Sequence, residues 1–250
     1  MSNIIQKKIH YCWFGGNPLP ELAEKCINSW KEHCPDYEII EWNENNFDVT
    51  CCDYVREAYE AKKWAFVSDY ARFKILYENG GVYLDTDVEL LKPLDDLLEK
   101  GSFMGCENYT TDEMKVAPGL GCATEPGNEF YLELMKNYEN SHFLNSDGSQ
   151  NLYNVVVRTT DLLKKHGLKS SFEIQNICGI TIYPAEYLCP IDQRDGSLNI
   201  TNNTYSIHHY MASWFSPKIK VYSKFIKFLY RCLGENGFEF LRKILGRKSD

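Results

Sequence analysis

Residues 69–87 read DYARFKILYENGGVYLDTD, and this stretch indicates the fold of the whole chain. It joins an apolar helix to a turn at Gly80-Gly81 and then to a short apolar strand that ends in Asp85 and Asp87. Side chains alternate faces along a strand, so the two aspartates are predicted to point the same way, roughly 7 Å apart along the backbone. Ligands of α/β folds bind at the carboxyl ends of strands, where two carboxylates suit a hard divalent cation.

The segments on either side alternate between strand and helix patterns. Before Asp87, strands are predicted at Lys8–Phe14, Tyr37–Trp42 and Val82–Asp85, and helices at Pro20–His33, Asp53–Lys63 and Trp64–Tyr77. After it, strands are predicted at Phe103–Cys106, Ile180–Tyr183 and Ser206–Tyr210, and helices at Asn128–Tyr138 and Asn151–His166. This alternation is typical of an α/β fold in which helices flank a central, mostly parallel sheet.

Length and composition indicate one large domain with a basic C-terminal tail. The chain has 250 residues, of which 44% are hydrophobic and 14% aromatic, enough for a full-size core. Residues 218–250 contain nine Lys or Arg and three acidic residues, so this segment carries +6 while the whole chain carries −8. We predict one domain over residues 1–216 and a basic amphipathic helical tail over 217–250. The acidic body argues against nucleic acid as a partner, which would require a basic face.

Cysteine usage and hydropathy indicate a cytoplasmic protein. The ten cysteines include no Cys-x-x-Cys pair and no Cys/His cluster with zinc spacing. No secretory signal is expected at the N-terminus, so the thiols are expected to be reduced and mostly buried. The sequence contains no run of about 18 apolar residues, so no membrane span is predicted. The tail has two open interpretations: packing on its own domain or a partner, or peripheral docking at the inner face of a membrane.

Four sequence blocks, in a set order, carry a resemblance to one enzyme family. They are KIHYCWFGG at 8–16, SW at 29–30 with PDY at 35–37, SDYAR through DTD at 68–87, and YSIHHYMASW at 205–214. Through these blocks, over residues 7–215, the chain resembles glycosyltransferases with a DXD-containing sugar-binding region. That group includes bacterial capsular-polysaccharide transferases and yeast initiating mannosyltransferases. It is more distantly similar to the glucosylating domains of large clostridial toxins.

The resemblance implies a fold and an activity. The fold is GT-A, a Rossmann-like α/β fold of nucleotide-diphospho-sugar transferases. The activity is metal-dependent, retaining transfer of a hexose from a UDP- or GDP-sugar to a glycan or lipid-linked acceptor, in surface polysaccharide synthesis. Mn²⁺ or Mg²⁺ is the implied cofactor. The alternative that the sequence leaves open is a non-catalytic relative that binds a sugar nucleotide or a glycan.

The resemblance also implies a donor site. Trp13 should stack on the donor base, because it lies at a strand end before two glycines. Asp69 and Arg72 should contact the donor sugar and diphosphate, and they share one face of a helix at i, i+3 spacing. Ser68 is small enough to admit a ligand beside them. Asp85 should reach the ribose. The plain alternative for Asp69 and Arg72 is an intrahelical ion pair.

A metal site is implied next to the donor site. Asp87 should bind the cation directly, and Asp85 directly or through water. The toxin-like relatives place a carboxylate five residues before the tryptophan that matches Trp214, where this chain has His209. Imidazole is a competent ligand for Mn²⁺, so His209 is the predicted third ligand and His208 the second choice. In a strand only one of the two histidines can face the site.

Other positions complete the sequence-based hypothesis. Ser213 and Trp214 should lie on a loop that closes over the diphosphate. No residue is an evident general base, and a front-face displacement would need none. A double displacement would instead need a carboxylate nucleophile, for which Glu107 is a candidate. Residues 119–122 are expected to line the sugar site. His10 alternates inward among apolar residues and is predicted to be structural. The candidate catalytic residues are Asp69, Arg72, Asp85 and Asp87.

Overall fold

The computed structural model describes residues 5–107, 114–211, 226–234 and 237. Within these ranges, seven strands form a central sheet in the order β2-β1-β3-β6-β5-β8-β7, and two more form a small second sheet. The strands are β1 Lys8–Cys12, β2 Glu38–Trp42, β3 Gly81–Tyr83, β4 Val88–Leu90, β5 Phe103–Gly105, β6 Cys122–Thr124, β7 Gln175–Ile177, β8 Ile180–Tyr183 and β9 Ser206–His208. Strands β4 and β9 pair to make the small sheet.

Helices cover both faces of the central sheet. They are α1 Glu21–His33, α2 Asp53–Glu60, α3 Trp64–Asn79, α4 Asp95–Leu98, α5 Glu129–Glu139, α6 Val155–Lys165 and α7 Ala185–Leu188, with a 3-10 turn at Pro118–Leu120. On one face, α3 packs with α2, α5 and α6 around buried rings such as Tyr54, Phe73 and Tyr138. On the other face, α1 packs against β4 around the buried Trp30.

Strand directions confirm the predicted α/β class with a mostly parallel central sheet. β1 runs parallel to β2 and to β3, and β5 runs parallel to β8. β6 is antiparallel to both β3 and β5, and β7 is antiparallel to β8. Five of the seven strands therefore share one direction. The antiparallel β6 and β7 were not predicted, because Cys122–Thr124 and Gln175–Ile177 lack the apolar run that marks β3 and β5.

The turn after α3 needs its two glycines. The helix ends with Gly80 at φ 65°, followed by Gly81 at φ 96°. Both angles lie in the left-handed region that favours glycine. A Cβ on Gly81 would lie 2.9 Å from the carbonyl oxygen of Lys8, so β3 approaches β1 closely there. His10 of β1 holds the turn, with Nε2 3.0 Å from the Gly80 carbonyl oxygen.

The Asp85–Asp87 segment differs from its predicted form. Strand β3 ends at Tyr83, and residues 86–87 form a turn that leads into β4. The Val88 N–H donates to the Asp85 carbonyl oxygen at 3.0 Å, which closes this turn. Strand alternation is therefore the wrong reason for the two aspartates to face one site. The turn places them, and it also reverses the chain into the second sheet.

The described part of the tail is a helix that lies against the body. Residues 226–234 are helical. Arg231 donates through Nε to the carbonyl oxygen of Asp195 at 2.5 Å, and the Arg194 guanidinium lies over the Tyr230 ring at 5.9 Å. Among the residues that the structure describes, no helix combines the length and the apolar character needed to cross a bilayer. Apart from residue 237, the other residues of the predicted tail lie outside the described ranges.

Candidate active site

Two aspartates and a histidine converge where β3 and β9 end. Asp85, Asp87 and His208 each offer a ligand atom, and these three atoms lie within 4.8 Å of one another. We call this group the ligand triad. The aspartates come from the turn after β3, and His208 is the last residue of β9. In the described ranges, no other group of three or more His, Cys, Asp or Glu residues has this geometry.

The structure brings His208, rather than His209, to the aspartates. His208 Nε2 lies 3.0 Å from Asp87 Oδ1. His209 Nε2 instead lies 2.7 Å from Glu89 Oε2, and Lys25 Nζ lies 2.9 Å from the other oxygen of that carboxylate. The prediction of His209 as the third ligand therefore disagrees with the structure, in which His208 lies beside Asp87 and His209 lies beside Glu89. The cause is the β4–β9 pairing, which sets Val88 opposite His208 and turns the next side chain away.

The surroundings of Asp87 favour its charged form. The side chain is buried, with 8% of its surface exposed. Burial alone would raise the pKa of this carboxyl, but the charge and hydrogen bond of His208 and the N–H of Met211 hold it below its usual value. The Met211 N–H donates to Asp87 Oδ2 at 2.7 Å. Two segments more than 100 residues apart are thus joined at one carboxylate.

A buried ion network joins helix α3 to the ligand triad. Arg72 Nη2 lies 3.2 Å from Asp69 Oδ1 and 3.3 Å from Asp85 Oδ1. The Arg72 Nε–H donates to the carbonyl oxygen of Ser68 at 3.0 Å, and the guanidinium lies over the Tyr83 ring at 4.7 Å. Arg72 is 3% exposed, and its buried Nη1 has no hydrogen-bond partner among the described residues. The plain alternative from the sequence was an ion pair within α3, but Arg72 also contacts Asp85 and Tyr83, which lie outside that helix.

Asp69 connects this network to the start of α6. Its Oδ2 accepts a hydrogen bond from the Val155 N–H at 3.4 Å. Burial, together with the charge of Asp85, raises the pKa of Asp69 to about 6, although Arg72 and Arg158 act in the opposite direction. The carboxyl is therefore ionised at neutral pH and can accept hydrogen bonds there.

Gly119 closes one side of this site. A Cβ at this position would lie 2.0 Å from Asp85 Oδ2 and 3.1 Å from Arg72 Nη1. Its carbonyl oxygen accepts the Asp85 N–H at 3.0 Å. Only glycine leaves room for both side chains, so the backbone itself faces Asp85 and Arg72. The sequence placed 119–122 near the sugar site but gave no reason for a glycine at this position.

The remaining sequence candidates divide into those that the structure describes and those that it does not. Trp13 follows β1 and is partly exposed, and its Nε1–H donates to the Asn17 carbonyl oxygen at 2.6 Å. Ser68 is partly exposed on α3, and its hydroxyl donates to the Ala65 carbonyl oxygen at 2.8 Å. Ser213 and Trp214 lie outside the described residues.

Glu107 is partly buried just beyond the end of β5. Its Oε2 accepts a hydrogen bond from Gln193 Nε2 at 3.3 Å. Burial raises its pKa, while Lys115 and His208 act against that shift. The ring of Tyr210 stands edge-on to that of His208, with centroids 4.3 Å apart. Glu107 thus lies within the electrostatic reach of the ligand triad.

The donor atoms of the ligand triad fit a hard divalent cation. Two carboxylates and one imidazole are ligands that Mn²⁺ accepts, and carboxylate oxygens also suit Mg²⁺. The buried Arg72 beside them can take part of the charge of a bound anion. Together these groups can hold a cation and the diphosphate that it carries.

Comparison with known proteins finds similarity to the family that the sequence blocks indicate. Residues 20–104 match the family described as glycosyltransferase sugar-binding region containing DXD motif. Inositol phosphoceramide mannosyltransferase 1 of Schizosaccharomyces pombe is 33% identical over 111 residues, which are 40% of this chain and 33% of that protein. An uncharacterized glycosyltransferase of Acanthamoeba polyphaga mimivirus is 25% identical over 241 residues, 91% of this chain and 90% of that protein.

The coverage of these matches differs widely. The chain spans about a third of the length of the yeast mannosyltransferase but nearly all of the viral protein. Among solved structures, the PaToxG glycosyltransferase aligns with a TM-score of 0.49 and 18% identity, over 64% of this chain and 70% of that chain. The resemblance to DXD-containing glycosyltransferases inferred from the sequence is confirmed by the family match and the two relatives.

Proposed function

We propose, from this kinship with DXD-containing glycosyltransferases, that the chain transfers a hexose from a nucleoside-diphosphate sugar to a glycan or lipid-linked acceptor. Asp85, Asp87 and His208 would hold Mn²⁺ or Mg²⁺, and Asp69 and Arg72 would bind the donor. The observation that carries the proposal is the convergence of the ligand triad beside the buried Arg72. A cation site and an anion site then lie side by side, as a metal-bound diphosphate requires.

The chemistry of the donor explains why these charges are needed together. Cleavage of the bond between the anomeric carbon and the diphosphate oxygen leaves the electron pair on that oxygen. A divalent cation held by the ligand triad would supply Lewis-acid stabilisation of this charge without donating a proton. Arg72 would share the same charge, because it contacts Asp85 and its Nη1, which has no partner among the described residues, could donate a hydrogen bond to a phosphate oxygen.

Asp69 would bind the donor sugar. Its carboxylate is ionised at neutral pH and is held on both oxygens, by Arg72 and by the Val155 N–H. A carboxylate oriented in this way can accept hydrogen bonds from sugar hydroxyls through its remaining lone pairs. Trp13, partly exposed at the end of β1, would stack on the nucleotide base. Ser68 would border the sugar, and Ser213 and Trp214 would close over the diphosphate.

Retention of the anomeric configuration is part of the proposal, with two possible routes. In a front-face displacement, the acceptor hydroxyl attacks the anomeric carbon as the bond to the diphosphate breaks, and its proton passes to the departing phosphate oxygen. In a double displacement, a carboxylate would first displace the nucleoside diphosphate from the anomeric carbon to form a glycosyl ester. The acceptor hydroxyl would then displace the carboxylate, with its proton passing to the bound diphosphate. Glu107 is the carboxylate that such a route would use, because it is partly buried and its charge acts on His208.

The proposed acceptor is borne on a lipid or a glycan at a membrane surface. The yeast relative is named for mannose transfer to inositol phosphoceramide, which is a lipid. The tail carries +6, and its described helix exposes Phe228 and Leu233 to solvent. Basic and apolar side chains together favour anionic membrane surfaces. The chain would then work at the cytoplasmic face of a membrane in surface polysaccharide synthesis.

Vesicle flotation tests the membrane part of the proposal separately. Replacement of Phe228 and Leu233 by Ser should reduce binding to phosphatidylserine vesicles, and high salt should reduce the binding of the unmodified chain. The matched control replaces Phe172 and Ile174 by Ser, because these apolar side chains are similarly exposed but lie on the body. Equal binding by all three proteins would contradict the membrane proposal and leave the transferase proposal intact.

Donor hydrolysis tests the proposed activity. Nucleotide release from a panel of UDP- and GDP-hexoses would be measured with Mn²⁺ and with EDTA. We expect release from one donor with Mn²⁺ only, and a loss of at least about 100-fold in Asp87→Asn, because charge on the departing diphosphate is then no longer stabilised. Asp96→Asn is the matched control, because Asp96 is an exposed carboxylate at the start of α4.

The outcomes separate the competing functions. Release that needs the metal and Asp87 supports the transferase. Donor binding by calorimetry without turnover, even with added acceptor glycans, would favour the non-catalytic binding protein. Absence of both binding and release across the panel would contradict the site itself.

A further inference from the structure

Side chains of helix α1 hold three consecutive residues of strand β4. The Trp30 Nε1–H donates to the Val88 carbonyl oxygen at 2.7 Å. The Leu90 N–H donates to the Ser29 hydroxyl at 2.9 Å. Between them, the Glu89 carboxylate lies 2.9 Å from Lys25 Nζ. The first two contacts are to the strand backbone, so they determine where β4 lies whatever its side chains are.

Strand β4 is directly joined to the ligand triad. Asp87 immediately precedes Val88, and the His209 N–H donates to the Asp87 carbonyl oxygen at 2.9 Å. Strand β9 ends in His208, which lies opposite Val88 in the antiparallel pair. The separation of Asp87 and His208 therefore depends on the position of this two-stranded sheet.

The small sheet needs support from outside itself. β4 and β9 contain three residues each, and among the described strands they pair with one another alone. A two-stranded sheet of this length is marginally stable alone in water. Helix α1 supplies the support from a rigid position, because Trp30 is fully buried against the central sheet and its ring meets that of Tyr11 edge-on at 5.7 Å.

We infer that Ser29 and Trp30 are positioning residues for the metal site, acting through the backbone of β4 to set the spacing between Asp87 and His208. The inference rests on the proposed function, since it concerns affinity for a divalent cation. It gives a physical role to the Ser29-Trp30 block, which the donor and metal contacts leave unexplained.

Titration with Mn²⁺ alone, followed by electron paramagnetic resonance of the free ion, tests the inference. Trp30→Phe keeps an aromatic ring but removes the donor to Val88. We expect it to weaken Mn²⁺ binding about tenfold, the size of effect that groups supporting metal ligands usually show. Ser29→Ala, a smaller change, should weaken binding in the same direction and guards against misfolding of the larger variant.

Trp42→Phe is the matched control. Trp42 also donates its indole N–H to a neighbouring strand, at 3.0 Å to His10 Nδ1, but it lies on β2, the edge strand of the central sheet that pairs with β1. We expect Trp42→Phe to lower the melting temperature as Trp30→Phe does, with Mn²⁺ affinity unchanged. Equal Mn²⁺ affinity in Trp30→Phe and the unmodified chain would overturn the inference, as would an equal loss in Trp42→Phe. If the unmodified chain binds no Mn²⁺, the metal site itself is wrong and the inference falls with it.

Discussion

The two halves of the candidate site are assembled differently. Asp69, Arg72, Asp85 and Asp87 lie within 19 consecutive residues and meet through a helix, a glycine turn and a short strand. His208 and the Met211 N–H come from more than 100 residues further along and reach Asp87 through a two-stranded sheet. We call these the contiguous half and the distant half. Local spacing specifies the first, whereas strand register specifies the second, so the sequence indicates the first and leaves open which histidine completes the second.

The contiguous half gives the largest expected effect. Arg72→Met should lower donor hydrolysis at least about 100-fold, because Asp69 and Asp85 would lose the cation that they share. Removal of one partner of a buried ion pair also destabilises the fold, by about 3–5 kcal/mol. The measurement is nucleotide release per folded molecule, with the folded fraction taken from circular dichroism.

Arg56→Met is the control for that prediction. Arg56 pairs with Asp53 at the same i, i+3 spacing, but this pair is exposed on α2. Exposed pairs contribute about 0–1 kcal/mol, so neither activity nor stability should change much. A similar, small effect in both variants would show that Asp69 and Arg72 are an ordinary helical ion pair, and the contiguous half would lose its role.

The distant half gives the second effect and separates the two adjacent histidines. His208→Ala should weaken Mn²⁺ binding about 10–100-fold, since it removes one of three ligands. His209→Ala should weaken it much less, because His209 contacts Glu89 instead. Calorimetric titration of both variants decides the matter. A larger loss in His209→Ala would restore the ligand predicted from the sequence and contradict the β4–β9 register.

The smallest effect concerns stability and the turn inside the contiguous half. Burial lowers the pKa of His10 to about 4, below its unfolded value of 6.5, while its bond to Gly80 acts weakly the other way. The unfolded chain therefore binds more protons between pH 6.5 and 4, and this residue's contribution to the free energy of unfolding falls as the pH falls through that window. Between pH 7 and pH 5 the loss is about 2 kcal/mol.

The His10 effect must be measured as a difference, because Asp69 titrates in the opposite sense. The pKa of Asp69 is raised to about 6, so its folded form gains protons first and its contribution rises as the pH falls. Urea unfolding of the unmodified chain and His10→Gln at pH 7 and pH 5 isolates His10. The stability difference between the two proteins should shrink by about 2 kcal/mol at pH 5. A constant difference would mean that His10 is not buried as a neutral ring.

The comparison of the two halves also indicates which parts of the fold can be predicted from the sequence. The alternation of strands and helices up to Tyr83 was predicted correctly, because α1 and α3 are long enough to show their periods and Gly80-Gly81 marks the end of α3. Strand β8 was predicted with its observed bounds, Ile180–Tyr183. These features depend on local sequence alone.

Features set by long-range pairing were not predicted. Strands β4, β6 and β7 were missed, and β9 was predicted without its partner, so neither the second sheet nor the antiparallel neighbours in the central sheet were anticipated. The aspartates were expected on a strand, but they lie on a turn whose shape depends on β9. The choice between His208 and His209 follows from one register, and a shift of one residue reverses which side chain faces the site.

The most direct test of the proposed metal site is anomalous diffraction near the manganese absorption edge, from crystals grown with Mn²⁺ and the nucleoside diphosphate released by the preferred donor. The site proposed here predicts one strong peak enclosed by Asp85, Asp87 and His208, with diphosphate oxygens on its open side and Arg72 beside them. A peak between Glu89 and His209, or no peak at the ligand triad with the nucleotide bound, would contradict it.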